Sequence, residues 1–297
     1  MQTLDISRPN TGRRLAAFFH LCKPRVNALI VFTAMIGMWL ASPGRVHPAR
    51  FLAASLGIAL VAGAAAAINC LAERTSDALM ARTRHRATAR GAISAAETLT
   101  LAMLVGGLGL WLLHALVNDL TLWLTLATFL GYAVVYTMVL KPMTPMNIVI
   151  GGAAGAMPPV LGWAAMTGTV GVEAWSLFLI VFLWTPPHFW SLACYRRDEF
   201  AKAALPMLPV THGLAFTCRH IRLYTVLLSA ATLLPVWIGL SGWLYLLAAL
   251  ALDAGFLGYA TLLCRRYDDG LARRSFRYSI VYLTLLFTAL IVDRLLF

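Results

Sequence analysis

The chain has 297 residues, 60% of them hydrophobic and 12% charged, with a net charge of +12 and a mean hydropathy of +0.77. Soluble domains carry about 25% charged residues, so this composition excludes one large soluble core and fits an all-α polytopic membrane protein. The basic excess invites a nucleic-acid surface, but its confinement to alternate loops excludes that partner.

In chain order, residues 1–25 are polar and basic (Arg8, Arg13, Arg14, Lys23, Arg25) and lack a small-residue cleavage site. They read as a cytoplasmic arm, not a signal peptide. Residues 26–297 read as a single transmembrane domain. A spanning helix needs about 20 apolar residues. Nine stretches qualify: 26–41, 51–70, 98–116, 121–140, 147–167, 174–193, 222–240, 243–263 and 278–296. With the N-terminus inside, the outer segments and the C-terminal end hold only Arg45, Arg50 and Arg294, and the other 21 of 24 Lys and Arg lie inside. This is the positive-inside pattern. It predicts a cytoplasmic N-terminus and an outer C-terminus, with the lipid bilayer as partner. Cys22, Cys70, Cys194, Cys218 and Cys264 form no CxxC pair and read as unpaired thiols.

Two polar islands interrupt the apolar chain. The first follows span 2: Asn69, Glu73 and Asp77 are spaced by four, which predicts one helical face, and Arg82, Arg84 and Arg86 follow. The second follows span 6 and holds Tyr195, Arg196, Arg197, Asp198, Glu199 and Lys202. Four spans separate the islands, so both are expected on one membrane face. The inner turn after span 4 adds Lys141, ahead of Pro142 and Pro145. The segment from Cys264 to Arg277 adds five arginines, read as topological and lipid-facing. Spans 5 and 6 carry Pro158-Pro159 and Pro186-Pro187, which predict interruptions or bends. The glycines at 151, 152 and 155 predict close helix packing.

Magnesium takes oxygen ligands, commonly carboxylates plus substrate phosphates. Asn69, Glu73, Asp77, Asp198 and Glu199 are therefore the candidate metal ligands. Arg82, Arg86, Lys141, Arg196 and Lys202 are the candidate diphosphate binders, with Arg84 and Arg197 nearby. Such a site ionises an allylic diphosphate whose tail lies in apolar surroundings, and aromatic faces shield the cation. Candidate walls are Tyr132, Tyr136, Trp163, Trp184, Phe189 and Trp190. His188 lies inside a span, where an ionisable residue points to function; it can ligate a haem iron or move a proton.

From Cys22-Lys23-Pro24-Arg25 to Val292-Asp293 the sequence resembles the haem O synthases, a branch of the UbiA-type intramembrane prenyltransferases. The most specific stretches run from Thr144 to Ala156 and from Phe182 to Trp190, followed by Tyr195-Arg196-Arg197-Asp198 and Pro206-Met207-Leu208-Pro209-Val210. The chain departs from the family pattern at Thr75, where an acid is usual, at Ala87-Thr88-Ala89, where prolines are usual, and at Glu199 and Leu214. The resemblance implies a nine-helix bundle with a cavity open to the cytoplasm, in a bacterial inner membrane. It implies transfer of farnesyl from farnesyl diphosphate to a vinyl group of haem B, with water addition and magnesium, giving haem O for terminal oxidases. Asn69, Glu73, Asp77, Asp198 and His188 are the catalytic candidates, and His188 and Tyr195 the haem-binding ones. Haem A synthase or oxidase-assembly proteins are the protein partners it suggests. The alternatives are prenyl transfer to another acceptor such as a quinone precursor, a non-catalytic haem-binding protein, and a transporter. A transporter requires charge at mid-depth, whereas the acids are read as clustering at one surface.

Overall fold

The computed structural model describes residues 11–42 and 47–296. Arg8 and Arg45 therefore lie outside the described residues. Among the described residues there are helices and no strands. Nine helical stretches among the described residues are long and apolar enough to cross a membrane: Pro24–Ala41, Pro48–Ala72, Ala95–Leu116, Asp119–Met143, Asn147–Thr167, Val172–Tyr195, Gly213–Trp237, Trp243–Arg265 and Asp269–Leu296, here spans 1 to 9. The arm is helical over Thr11–Leu21.

Helix starts follow local chemistry. Ser94 caps span 3 by accepting from Glu97 N at 3.2 Å, while Glu97 Oε2 accepts from Ser94 N at 2.8 Å, a reciprocal capping box. Asn118 accepts from Thr121 N at 2.8 Å and starts span 4. Spans 7 and 9 begin nine residues before the expected 222 and 278. The apolar run marks the lipid-embedded part, but each helix starts earlier, in an arginine-bearing turn that water can solvate (Arg219, Arg222; Arg273, Arg274, Arg277). The segment up to Arg277, expected as a loop, is helical from Asp269 onward.

Most spans pack against sequence neighbours, 2 along 3, 6 against 7, 7 against 8 and 8 against 9; span 6 also packs on span 9, and span 1 crosses to the second half of span 5. That crossing depends on glycine. A Cβ on Gly162 would lie 1.9 Å from Ala34 O, and one on Gly37 would lie 2.1 Å from Pro159 O. Pro158 interrupts span 5 after Ala156, as its ring and missing N–H demand. Span 6 stays one helix through Pro186 and Pro187. Span 4 widens to a π-helix over Gly131–Leu140. Met103, Leu104, Leu108 and Trp111 leave span 3 exposed and apolar, as a lipid-facing surface requires. The protein is integral to a membrane.

Candidate active site

Span 2 ends at Ala72, so the expected single helix across the first island is corrected. Glu73 leaves helical geometry at φ −89°, ψ 4°, and a short helix Arg74–Leu79 follows. The polar run Glu73–Asp77 has no apolar face to bury and steps out of the span. The four-residue spacing survives the break, because Glu73 N donates to Asn69 O at 3.0 Å and Asp77 N to Glu73 O at 2.8 Å. All three side chains are buried, Asp77 completely. Asn69 Nδ2 donates to Glu73 Oε1 at 2.7 Å and to Thr137 Oγ1 at 3.1 Å.

Each acceptor has a cation from a different element. Lys23, before span 1, donates to Asn69 Oδ1. Lys141, at the end of span 4, donates to Glu73. Arg86 reaches Asp77 Oδ2 at 2.6 Å and Glu73 Oε2 at 3.7 Å. Burial pushes the Glu73 carboxyl up, but Lys141 and Lys23 outweigh it and hold the group below the usual range. Burial also draws the Lys23 amine down. Lys23 holds a left-handed backbone, φ 47° and ψ 61°, immediately before Pro24. A non-glycine residue there is strained, and strain is held where the surroundings fix it. The π-helix serves the same group: Thr137 donates to Tyr132 O at 2.8 Å, five residues back, and the extra residue turns Thr137 toward Asn69. Tyr132 and Tyr136 stack at 5.5 Å beside it. A Cβ on Gly151 would fall 2.1 Å from the Tyr136 ring, so that glycine admits the ring.

The loop after the first island is fastened without the family's prolines. Thr83 donates to Asp77 O at 3.1 Å and Thr88 to Cys70 O at 3.0 Å. Thr75 faces away from the acids and lines an open cleft of about 400 Å³ with Arg74, Thr88, Ala89 and Gly91.

The islands meet through Met80, which is buried in one cluster with Trp190, Cys194 and Phe200. Arg82 has an exposed side chain, yet desolvation of its head, then Arg86 and Arg196, lower its pKa, and Asp77 and Glu199 oppose them. It is thus within electrostatic reach of both islands. The second pair of acids does not join the first. Asp198 is 84% exposed and lies 3.7 Å from Arg197 Nε, while Glu199 pairs with Arg196 at 2.9 Å. Among the described residues no three His, Cys, Asp or Glu side chains converge as a metal site. Arg84 and Lys202 are exposed. The group around Asn69, Glu73 and Asp77 does fit a hard cation: Asp77 Oδ1 is buried without a hydrogen-bond partner, and every candidate ligand there is oxygen.

His188 is half-buried, stacked on Trp184 at 4.2 Å and tilted against Phe276 at 4.7 Å. Its Nδ1 lies 2.6 Å from Ser279 Oγ. That hydroxyl donates to Phe276 O at 2.7 Å, so it accepts from Nδ1–H and leaves Nε2 as the lone-pair nitrogen. Tyr195 meets Phe276 at 6.3 Å. Of the expected aromatic walls, Trp190 is fully buried against His220 and Tyr224 and is a packing residue.

Sequence reasoning missed Lys23, Thr137 and Ser279, whose roles depend on which helices adjoin. It also missed Asp253, halfway along span 8. This buried carboxylate accepts from Thr232 Oγ1 at 2.8 Å and Tyr282 OH at 2.5 Å, so acids are not confined to one surface. A lone acid within an apolar run was the available signal. Both its oxygens are engaged in tying spans 7, 8 and 9 together.

The UbiA prenyltransferase family pattern matches residues 30–289. The chain is 68% identical over 296 residues to a protoheme IX farnesyltransferase of Dechloromonas aromatica (strain RCB), covering 100% of this chain and 99% of that one. It is 60% identical over 297 residues to a protoheme IX farnesyltransferase of Azoarcus sp. (strain BH72), covering 100% and 99%. Among solved structures, one reported for digeranylgeranylglyceryl phosphate synthase superposes with a TM-score of 0.81 at 18% identity, covering 96% of this chain and 100% of that one. A UbiA homolog from Archaeoglobus fulgidus bound to GPP and Mg2+ superposes with a TM-score of 0.59 at 15% identity, covering 92% and 99%. Nine apolar helices in this fold, matched along nearly their whole length, place the chain in the UbiA prenyltransferase family.

Proposed function

We propose that the protein transfers farnesyl from farnesyl diphosphate to a vinyl group of haem B and adds water, forming haem O. The observation that carries this reading is full-length identity of 68% to a protoheme IX farnesyltransferase. The site chemistry supports it. The C–O bond to diphosphate breaks, the farnesyl carbon joins the vinyl terminal carbon, and water adds at the adjacent carbon with release of a proton.

Asn69, Glu73 and Asp77 are the oxygen set for a divalent metal, with Asp198 and Glu199 beside the diphosphate at the second island. When bound, magnesium would neutralise charge on the leaving diphosphate. Lys141, Arg86, Arg82, Arg196 and Lys202 bind the phosphate oxygens, and Lys23 joins them. In the present arrangement Lys23, Lys141 and Arg86 sit on the ligand oxygens. Substrate therefore exchanges carboxylate partners for phosphate partners, a change of partners among buried charges that leaves none unpaired. Tyr132 and Tyr136 shield the allylic cation. His188 takes haem through Nε2, with Ser279 fixing its tautomer. Residues 26–297 act as one prenyltransferase domain in a bacterial inner membrane, with the arm and both islands on the cytoplasmic side and the C-terminus outside. The product then serves haem A synthase or oxidase assembly.

A bacterium stripped of its own haem O formation tests this in membranes. Expression of the chain should restore haem O to the extracted haems; extracts holding haem B alone, with the protein in the membrane, would overturn it.

A further inference from the structure

Arg273 has none of these roles, and it meets Arg196, assigned above to phosphate, on one aromatic ring. Arg273, at the start of span 9, lies over the Tyr195 ring with its guanidinium carbon 5.3 Å from the centroid. Arg196 lies over the same ring at 5.6 Å. Its Nε is buried without a hydrogen-bond partner, a donor that a ligand oxygen would satisfy. Arg273 is exposed and makes no ion pair with an acid among the described residues. Two arginines that meet on one aromatic ring and leave donors unspent make a receptor for carboxylate or phosphate.

The position of this pair selects between those ligands. Tyr195 contacts Phe276, and Phe276 contacts His188, which stacks on Trp184. These rings form a continuous wall between spans 6 and 9, with the cations at its polar end and the free Nε2 at its apolar end. From 188 to 195 the helix rises about 10 Å, comparable to the reach of a porphyrin from its iron to its two carboxylates. A farnesyl chain would accept the apolar wall but has no use for a lone-pair nitrogen within it, whereas a porphyrin iron binds one. Resting on the haem reading above, we infer that Arg273, with Arg196, anchors the propionate carboxylates of the haem substrate while His188 meets the iron.

The test uses the full protein in lipid nanodiscs, titrated with protohaem IX and with its dimethyl ester, which lacks the two charges. Wild-type protein should bind protohaem at least about tenfold more tightly than the ester, the worth of a charge-assisted contact. Arg273→Gln should weaken protohaem alone and erase that ratio, and Arg273→Lys should restore part of it. Arg274→Gln, one residue along with equal loss of charge, should leave the ratio intact. His188→Ala should lose the axial nitrogen signature in the visible spectrum and keep the ester discrimination. An unchanged ratio in Arg273→Gln, or equal loss in Arg274→Gln, would overturn the anchor and leave the haem reading standing. Equal binding of acid and ester by wild-type protein would do so even if a variant fails to fold. Failure of wild-type protein to bind either porphyrin would overturn both.

Discussion

Asp77→Asn isolates the charge at the centre of the site while keeping the shape of the side chain. Asp77 is fully buried, with Oδ2 on Arg86 at 2.6 Å and Oδ1 free. Removing one partner of a buried pair costs about 3–5 kcal/mol when the other charge is stranded. Arg86 is not stranded, because Glu73 lies 3.7 Å away and its own side chain is 18% exposed. The cost should therefore lie at or just below that lower end, about 2–3 kcal/mol, and the protein should remain folded in the membrane. Activity should suffer more. The free Oδ1 ceases to be an anionic ligand at the leaving group, and loss of one such electrostatic contact costs about 100- to 1000-fold in kcat. The assay is turnover of farnesyl diphosphate and haem B by purified protein, with thermal unfolding alongside. Turnover within threefold of wild type in a folded variant would remove Asp77 from the reaction.

Thr75→Asp restores the acid usual in the family, but Thr75 faces the cleft beside Thr88 and Gly91; initial rates should stay within about twofold, and a total loss would show that this face carries substrate. Gly162→Ala sets a methyl group 1.9 Å from the Ala34 carbonyl, which forces spans 1 and 5 apart; unfolding in detergent should show a loss of at least about 1–3 kcal/mol, and an unchanged midpoint would refute the close crossing. The Glu73 carboxyl is held below its usual 4.5. A depressed carboxyl stabilises the fold above its unfolded-state value, and that share is lost as pH falls through the folded-state value. Thermal stability should thus hold down to about pH 5 and decline below 4.5, and Glu73→Gln should blunt the decline; an identical profile in the variant would remove Glu73 as its source.

The spans were legible because hydropathy counts residues that lipid accepts, and nine apolar runs leave little choice of fold. Their ends were not: spans 7 and 9 start inside arginine-bearing turns, where the helix persists but the apolar pattern stops. Asn69, Glu73 and Asp77 come together as their four-residue spacing predicts, even though the helix breaks at Glu73. The contacts of Lys23 and Ser279 were not legible, because each depends on a neighbour far along the chain: Lys23 on Asn69, Ser279 on His188. The short helix bearing Asp198 leaves that acid facing solvent, a direction that composition does not encode.

The most direct test supplies the purified protein in lipid with haem B, farnesyl diphosphate and magnesium, then separates the extracted haems and weighs them. The account requires a haem heavier by one farnesyl group and a hydroxyl, formed only when all three are present. Unchanged haem, from protein that is folded and binds both substrates, would contradict it.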